Sequence, residues 1–170
     1  MKKNIIKLNE NTLRHIVAES VKKVLKEYNS QITPELFKEQ LMEDFESTLL
    51  SLYEDVLNKN FKKEKEVYED YMYEIAEEMA HIVAESLTND SMRVLNSNNW
   101  DVPKNNFRPL GFVMNREHNV HNFQELLSKP NPVDIYTNWF WGAFGTFAVK
   151  YKFSEVIGDL LYDLEEEEED

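Results

Sequence analysis

The chain contains no cysteine among its 170 residues, which excludes disulfide scaffolds, thiolate metal sites and cysteine nucleophiles. Glycine is nearly as scarce. There are 4, none before Gly111, and this excludes a P-loop and a glycine-rich dinucleotide-binding turn. Basic side chains are outnumbered, 19 against 32 acidic ones, and a formal charge of -13 argues against holding duplex DNA through the overall field. Long apolar runs are missing as well. The longest stretch without a charge, Ile135 to Val149, is interrupted by Asn138, Gly142 and Gly145. It falls short of the roughly 20 apolar residues that a bilayer span requires. The basic start Met1-Lys2-Lys3 is followed by no apolar stretch, so neither a signal peptide nor membrane insertion is expected, and the chain is expected to be soluble.

What is present is helical periodicity. From Glu10 to Tyr28, apolar residues fall at Leu13, Ile16, Val17, Val21, Val24, Leu25 and Tyr28, with Asn9 or Asn11 as the cap. Thr33-Pro34-Glu35 announces a second start: a capping hydroxyl, a proline where its missing N–H costs nothing, and an acid at the positive helix end. Two stripes follow. One is Phe37, Leu41, Phe45, Leu49, Leu52, Tyr53, Val56 and Leu57; the other is Tyr68, Tyr71, Met72, Ile75, Met79, Ile82, Val83 and Leu87. The turn candidate between them is Asn58-Lys59-Asn60. Without a turn, residues 34–87 would form one helix of roughly 80 Å with its stripe uncovered. A hairpin is therefore favoured, and the single helix remains the alternative.

After Leu95 the composition changes. Pro103, Pro109, Pro130 and Pro132, together with many asparagines, mark an ordered loop region anchored by Trp100, Phe107, Leu110, Phe112 and Phe123, with a short helix over 122–127. Asn131-Pro132-Val133-Asp134 repeats the start signal, and the helix is expected to run to about Gly145. Residues 146–153 fit helix or strand, because Phe147, Val149, Tyr151 and Phe153 alternate with smaller or charged residues. Ser154 to Leu164 returns to helical spacing. The expected fold is mainly α: a basic arm over 1–28, a helical hairpin over 29–96, a loop-rich and aromatic helical part over 97–164, and an acidic tail over 165–170.

An internal repeat stands out. His15-Ile16-Val17-Ala18-Glu19-Ser20 recurs letter for letter as His81-Ile82-Val83-Ala84-Glu85-Ser86. Chance, helped by helical patterning, is one explanation; a duplicated helix whose outer face meets similar partners is the other. In both copies the His–Glu pair lies on the side away from the apolar stripe, a geometry suited to solvent or a partner more than to a metal. Glu78-Met79-Ala80-His81 matches one Glu-x-x-His element of di-iron bundles, which need two such elements and two more glutamates. His118 and His121 beside Glu117 form a further transition-metal candidate, against the simpler reading of a polar surface loop. No residue stands in a nucleophile-elbow setting, and no enzyme activity, cofactor or metal is expected. The aromatic block Trp139 to Phe147 suits the core of the C-terminal part or, alternatively, an interface, where such side chains are enriched.

Charge is segregated. Lys2, Lys3, Lys7, Arg14, Lys22, Lys23 and Lys26 face Glu10 and Glu19 in the first 26 residues, a net of +5, while Glu165 to Asp170 are six consecutive acids. Without that run the rest of the chain carries about -7, ordinary for a soluble domain of this size. The opening segment Lys7-Leu8-Asn9-Glu10, with Leu13, Ile16-Val17, Glu19-Ser20-Val21, Val24-Leu25 and Glu27, resembles N-terminal segments shared by otherwise unrelated proteins of crAss-like tailed phages of gut Bacteroidetes, over roughly residues 5–27. The resemblance implies a phage protein with a common docking or packaging element, found in the host cytoplasm during assembly or in the virion. It transfers no catalytic residue.

The expectation is a non-enzymatic virion component, a connector, ring or packaged cargo protein, that contacts other protein subunits, as a homo-oligomer or with other virion proteins. Its candidate contact residues are Arg14, His15, Glu19, Lys22, Lys23, Trp139, Trp141, Phe144, Glu165, Glu166 and Glu167. The alternatives are an acidic inhibitor that imitates nucleic acid and a metal-binding helical protein using Glu78, His81 and Glu85.

Overall fold

A computed structural model of the chain describes Val17 and residues 32–97, 99–101 and 108–168. The basic arm, including Arg14, His15, Glu19, Lys22 and Lys23, lies outside the described residues apart from Val17. Among the described residues there are six helices and no strand, a mainly α fold.

The first start signal acts as its chemistry requires. α1 spans Pro34–Asn60; the Thr33 hydroxyl accepts from the Leu36 N–H at 3.2 Å, and Pro34 opens the helix. α2 spans Lys62–Asn96. The two pack antiparallel, as the pairings of Glu46 with His81 and of Met42 with Thr88 show, so the hairpin replaces the single long helix. Its corner is not at Asn58-Lys59-Asn60, which form the last turn of α1. The breaks fall at Phe61 (φ -127, ψ 35) and at Tyr68 (φ -116, ψ 28), which kinks α2. Asparagine costs only tenths of a kcal/mol in a helix, so α1 continues through both. Half-buried Phe61 and Tyr68 pack on the core instead, and Lys65 Nζ ties the corner by donating to Asn58 Oδ1 at 2.9 Å and to the Tyr73 hydroxyl at 3.0 Å.

The second expected stripe is also corrected. The side chains of α2 that are buried against α1 are Met72, Ala76, Ala80, Ala84, Thr88, Ser91 and Leu95, not the larger Ile75, Met79, Ile82, Val83 and Leu87. Opposite them α1 presents Phe37, Leu41, Phe45, Leu49, Tyr53, Val56 and Leu57. With large residues on one helix, small ones on the other let the axes approach and the side chains interdigitate.

The remaining helices close over α1. α3 (Leu110–His118) lies where a loop was expected; Leu110, Val113 and Met114 are its buried side, and Asn119 ends it in the left-handed conformation (φ 50). α4 (Phe123–Leu127) starts from a reciprocal cap: Asn122 Oδ1 accepts from the Glu125 N–H at 2.9 Å, and Glu125 Oε2 accepts from the His121 N–H at 2.7 Å. α5 (Pro132–Phe144) follows Asn131, which occupies the cap position without a side-chain cap bond. Gly145 ends α5 at φ 68, ψ 169, a conformation that essentially only glycine adopts. α6 (Phe147–Glu168) is helix throughout, which decides residues 146–153 in favour of helix. The acidic run is therefore not a separate tail from residue 165: Glu165 to Glu168 extend α6.

Aromatic contacts fix this cover onto α1. Phe37 meets Phe123 edge-on at 5.3 Å, Phe45 meets Phe140 at 4.7 Å, and Tyr53 stacks on Phe153 at 4.1 Å. Three residues spaced eight apart on one helix thus hold α4, α5 and α6 in turn. Burial pushes the Tyr53 and Tyr136 phenols up to about 12.

Candidate functional site

α2 has four sides, and each is a row of residues spaced four apart. The inner row, Ala76, Ala80, Ala84 and Thr88, is buried. One residue earlier runs the apolar flank, Ile75, Met79, Val83 and Leu87, all half-buried. One residue earlier again lies the outer row, Glu74, Glu78, Ile82 and Ser86, all exposed. The polar flank is Glu77, His81, Glu85 and Asn89, also exposed. A step of one residue turns about 100° around the helix, so the apolar flank lies between the buried and the solvated sides.

That flank is the candidate site. It leads at Leu87 into an apolar cavity of about 100 Å³ lined by Val94, Tyr136, Trp139, Phe140 and Phe144. Ser91 Oγ is buried at this cavity without a hydrogen bond of good geometry, although the Tyr136 phenol adjoins it. Beside the flank, Ile82 is 57% exposed and Tyr71 is also exposed. From Glu66 to Met92 there are eight carboxylates and no lysine or arginine; of these, Glu74 and Glu78 stand on the outer row beside the flank, and Glu77 and Glu85 on the polar flank opposite. A half-covered apolar row under one sign of charge suits a basic amphipathic segment, whose apolar side would fill the row while its cations meet the carboxylates.

The opposite side is chemically different. His81, Glu85 and Asn89 border a groove of about 620 Å³ with Lys38, Glu39, Met42 and Glu43. His81 Nδ1 lies 3.3 Å from Glu46 Oε1 on α1, so its partner is across the hairpin and not Glu85 one turn away. Glu78 stands one turn before His81 and Glu85 one turn after it, but the contact His81 makes is with Glu46. Glu117 is paired with Arg108 at 3.0 Å. Among the described residues no group of three or more His, Cys, Asp or Glu is arranged to hold a metal ion. A third cavity, polar and about 390 Å³, lies between Trp100, Asp101, Asn115 and His121.

The aromatic block divides. Trp139 is 8% exposed and donates its indole N–H to the Arg108 carbonyl at 3.1 Å, so it is a core residue and not part of an interface. Trp141 and Phe144 are half-buried, the first edge-on to Phe45 at 5.7 Å and the second stacked on Phe140 at 4.3 Å. The exposed aromatics come just after the block: Phe147, 80% exposed, and Tyr151 stack on each other at 6.3 Å. The sequence did not mark these two as exposed, and it marked Ile75, Met79, Val83 and Leu87 as an apolar stripe without showing that they would be only half covered. Glu165 is exposed, and the backbones of Glu166 and Glu167 continue the last turns of α6. Lys150 joins α6 to α1 through Asp55 at 2.6 Å, and this bond, with that of Lys59, holds the Asp55 carboxyl below its ordinary range.

No helix among the described residues is long and apolar enough to cross a membrane. Compared with known protein families, curated proteins and solved structures, the chain matches none.

Proposed function

We propose that this is a non-enzymatic phage protein that works through protein–protein contact, as a structural component of the virion such as a connector, ring or packaged cargo protein. The observation that carries the contact reading is the apolar flank of α2, half-covered and rimmed by carboxylates. A folded domain gains by covering such a row, and a partner's apolar side is what covers it. The phage assignment rests on the resemblance of residues 5–27 to segments found on phage proteins. Mass spectrometry of purified particles tests the reading: the protein should be present at many copies per particle. A strictly monomeric protein that is absent from particles overturns it.

A second reading, an acidic inhibitor that imitates nucleic acid, is favoured by the same run of eight carboxylates. It requires that DNA compete for the bound partner and that binding fall steeply with salt. Binding that ignores both salt and DNA removes it.

A further inference from the structure

Ser91 differs from the other buried polar residues of α2. It is 2% exposed, and among the described residues its Oγ has no hydrogen-bond partner of good geometry. It does not donate to the carbonyl one turn earlier, as helical serines often do, and the Tyr136 phenol adjoins it without completing a well-formed bond. A buried hydroxyl left in that state is costly and calls for an explanation. Ser91 lines the apolar cavity of about 100 Å³ between α2 and α5. Trp100 and Trp139 line it too, but their indole N–H groups donate to the Leu95 and Arg108 carbonyls at 3.3 and 3.1 Å, so they offer the cavity only carbon. Phe140 and Phe144 add two more rings. On the solvent side stand Asp90 and Asn99, both exposed, with Asp90 paired to Arg93 at 2.9 Å.

We propose that this cavity binds one neutral aromatic ring carrying a hydroxyl, a phenol, with the ring among Trp100, Trp139, Phe140 and Phe144 and the hydroxyl bonded to Ser91 Oγ. Water is a poor occupant. The space exceeds that of a single water, yet each water needs two to four polar partners, and the interior offers one hydroxyl with a phenol beside it. Apolar cavities of about 150 Å³ stay dry and take up benzene, so about 100 Å³ suits one ring and not two. An aromatic occupant suits walls whose own rings already meet edge-on, as Trp139 and Phe144 do at 6.4 Å. A neutral one is required because a carboxylate would lose its hydration among these rings and would have to pass Asp90. The inference is independent of the contact reading above.

The three tryptophans give the full chain its own reporters. Trp100 and Trp139 line the cavity, whereas Trp141 packs on Phe45 and Phe140 and is not part of its wall. In NMR of the isotope-labelled protein, phenol should shift the Trp100 and Trp139 indole N–H signals saturably, with a dissociation constant of about 0.1–1 mM, and move Trp141 much less. Benzoate should leave all three in place. Ser91→Ala should weaken phenol binding about three- to tenfold, the worth of one hydrogen bond, and leave benzene binding within about twofold. A merely structural role of Ser91 would move both ligands together. Ser91→Leu, which fills the space, should abolish both; should that variant fail to fold, the phenol-to-benzene split in Ser91→Ala decides alone. The proposal is overturned by the absence of a saturable shift, by equal shifts of all three indoles, by benzoate binding as tightly as phenol, or by equal losses of phenol and benzene in Ser91→Ala. A chain that binds phenol but is a monomer absent from particles fails the virion reading alone, and a particle protein indifferent to phenol fails this inference alone.

Discussion

The inner row and the apolar flank of α2 are one residue apart in sequence, and they lead different lives. Ala76, Ala80 and Ala84 are buried against α1, while Ile75, Met79 and Val83, each more hydrophobic, are only half covered. Hydrophobicity alone would order them the other way. What decides is size: α1 fills the interface with Phe37, Leu41, Phe45, Leu49 and Tyr53, and a second row of large residues would hold the helices apart. The large row of α2 is displaced to the side and left half covered. The lesson is that the strongest apolar stripe of a helix need not be the one that meets its nearest neighbour.

This contrast can be broken from its buried side first. Leu49 is fully buried, and at the register given by Glu46–His81 and Met42–Thr88 it lies opposite Ala80. Leu49→Ala should lower unfolding stability by about 2–5 kcal/mol in urea denaturation, the range for a leucine cavity. Ala80→Leu should cost about 1–3 kcal/mol by overpacking. If size complementarity is the cause, the double variant loses less than the two single losses combined; strict additivity would show that the two residues do not share the interface.

Alkali attacks the same buried side. The Tyr53 and Tyr136 phenols ionise near 12 in the folded chain against 10.0 when free, because burial disfavours the phenolate. A raised folded value means that the stability present below pH 10 is lost as pH rises through 12, since only the unfolded chain gives up these protons in that window. Circular dichroism should show unfolding that tracks the last tyrosinate absorbance, and Tyr53→Phe should move the transition to higher pH. A complete tyrosinate titration at pH 10 with structure retained would contradict the burial.

The smallest effect is expected on the open side. Ile82→Ser should change monomer stability by no more than about 0.5 kcal/mol, because the residue makes little contact within the chain. On the proposed contact reading, the same substitution should weaken binding to the partner subunit, measured by sedimentation. A loss of stability as large as that of Ala80→Leu would mean that the outer row is covered within one chain, and the contrast between the two sides would fall.

How much of this was legible beforehand differs from element to element. Thr33-Pro34 marked a helix start because capping and proline geometry are local chemistry, and Asn122 and Gly145 carry equally local signals. α3 was passed over although Leu110, Val113 and Met114 have helical spacing, because the prolines and asparagines around it suggested a loop and no side chain caps its start. The corner at Phe61 has no turn residue at all. It is made by aromatic anchoring on the core, which no local pattern announces. The acidic run was expected as a tail from residue 165, yet α6 carries its first four glutamates, since Phe153, Ile157 and Leu161 are buried on the same helix just before them.

Local chemistry in the chain was sufficient for the helical class, the helix starts at Pro34, Phe123 and Pro132, the two-sided charge and the exclusion of thiolate chemistry and glycine-loop nucleotide binding. Each follows from one residue or from a short periodicity. Which side of α2 turns inward, whether Trp139 is core or surface, and where an apolar row is left uncovered were decided only when helices met. Those outcomes depend on the summed volumes of residues far apart in sequence, and only a packed tertiary structure compares them.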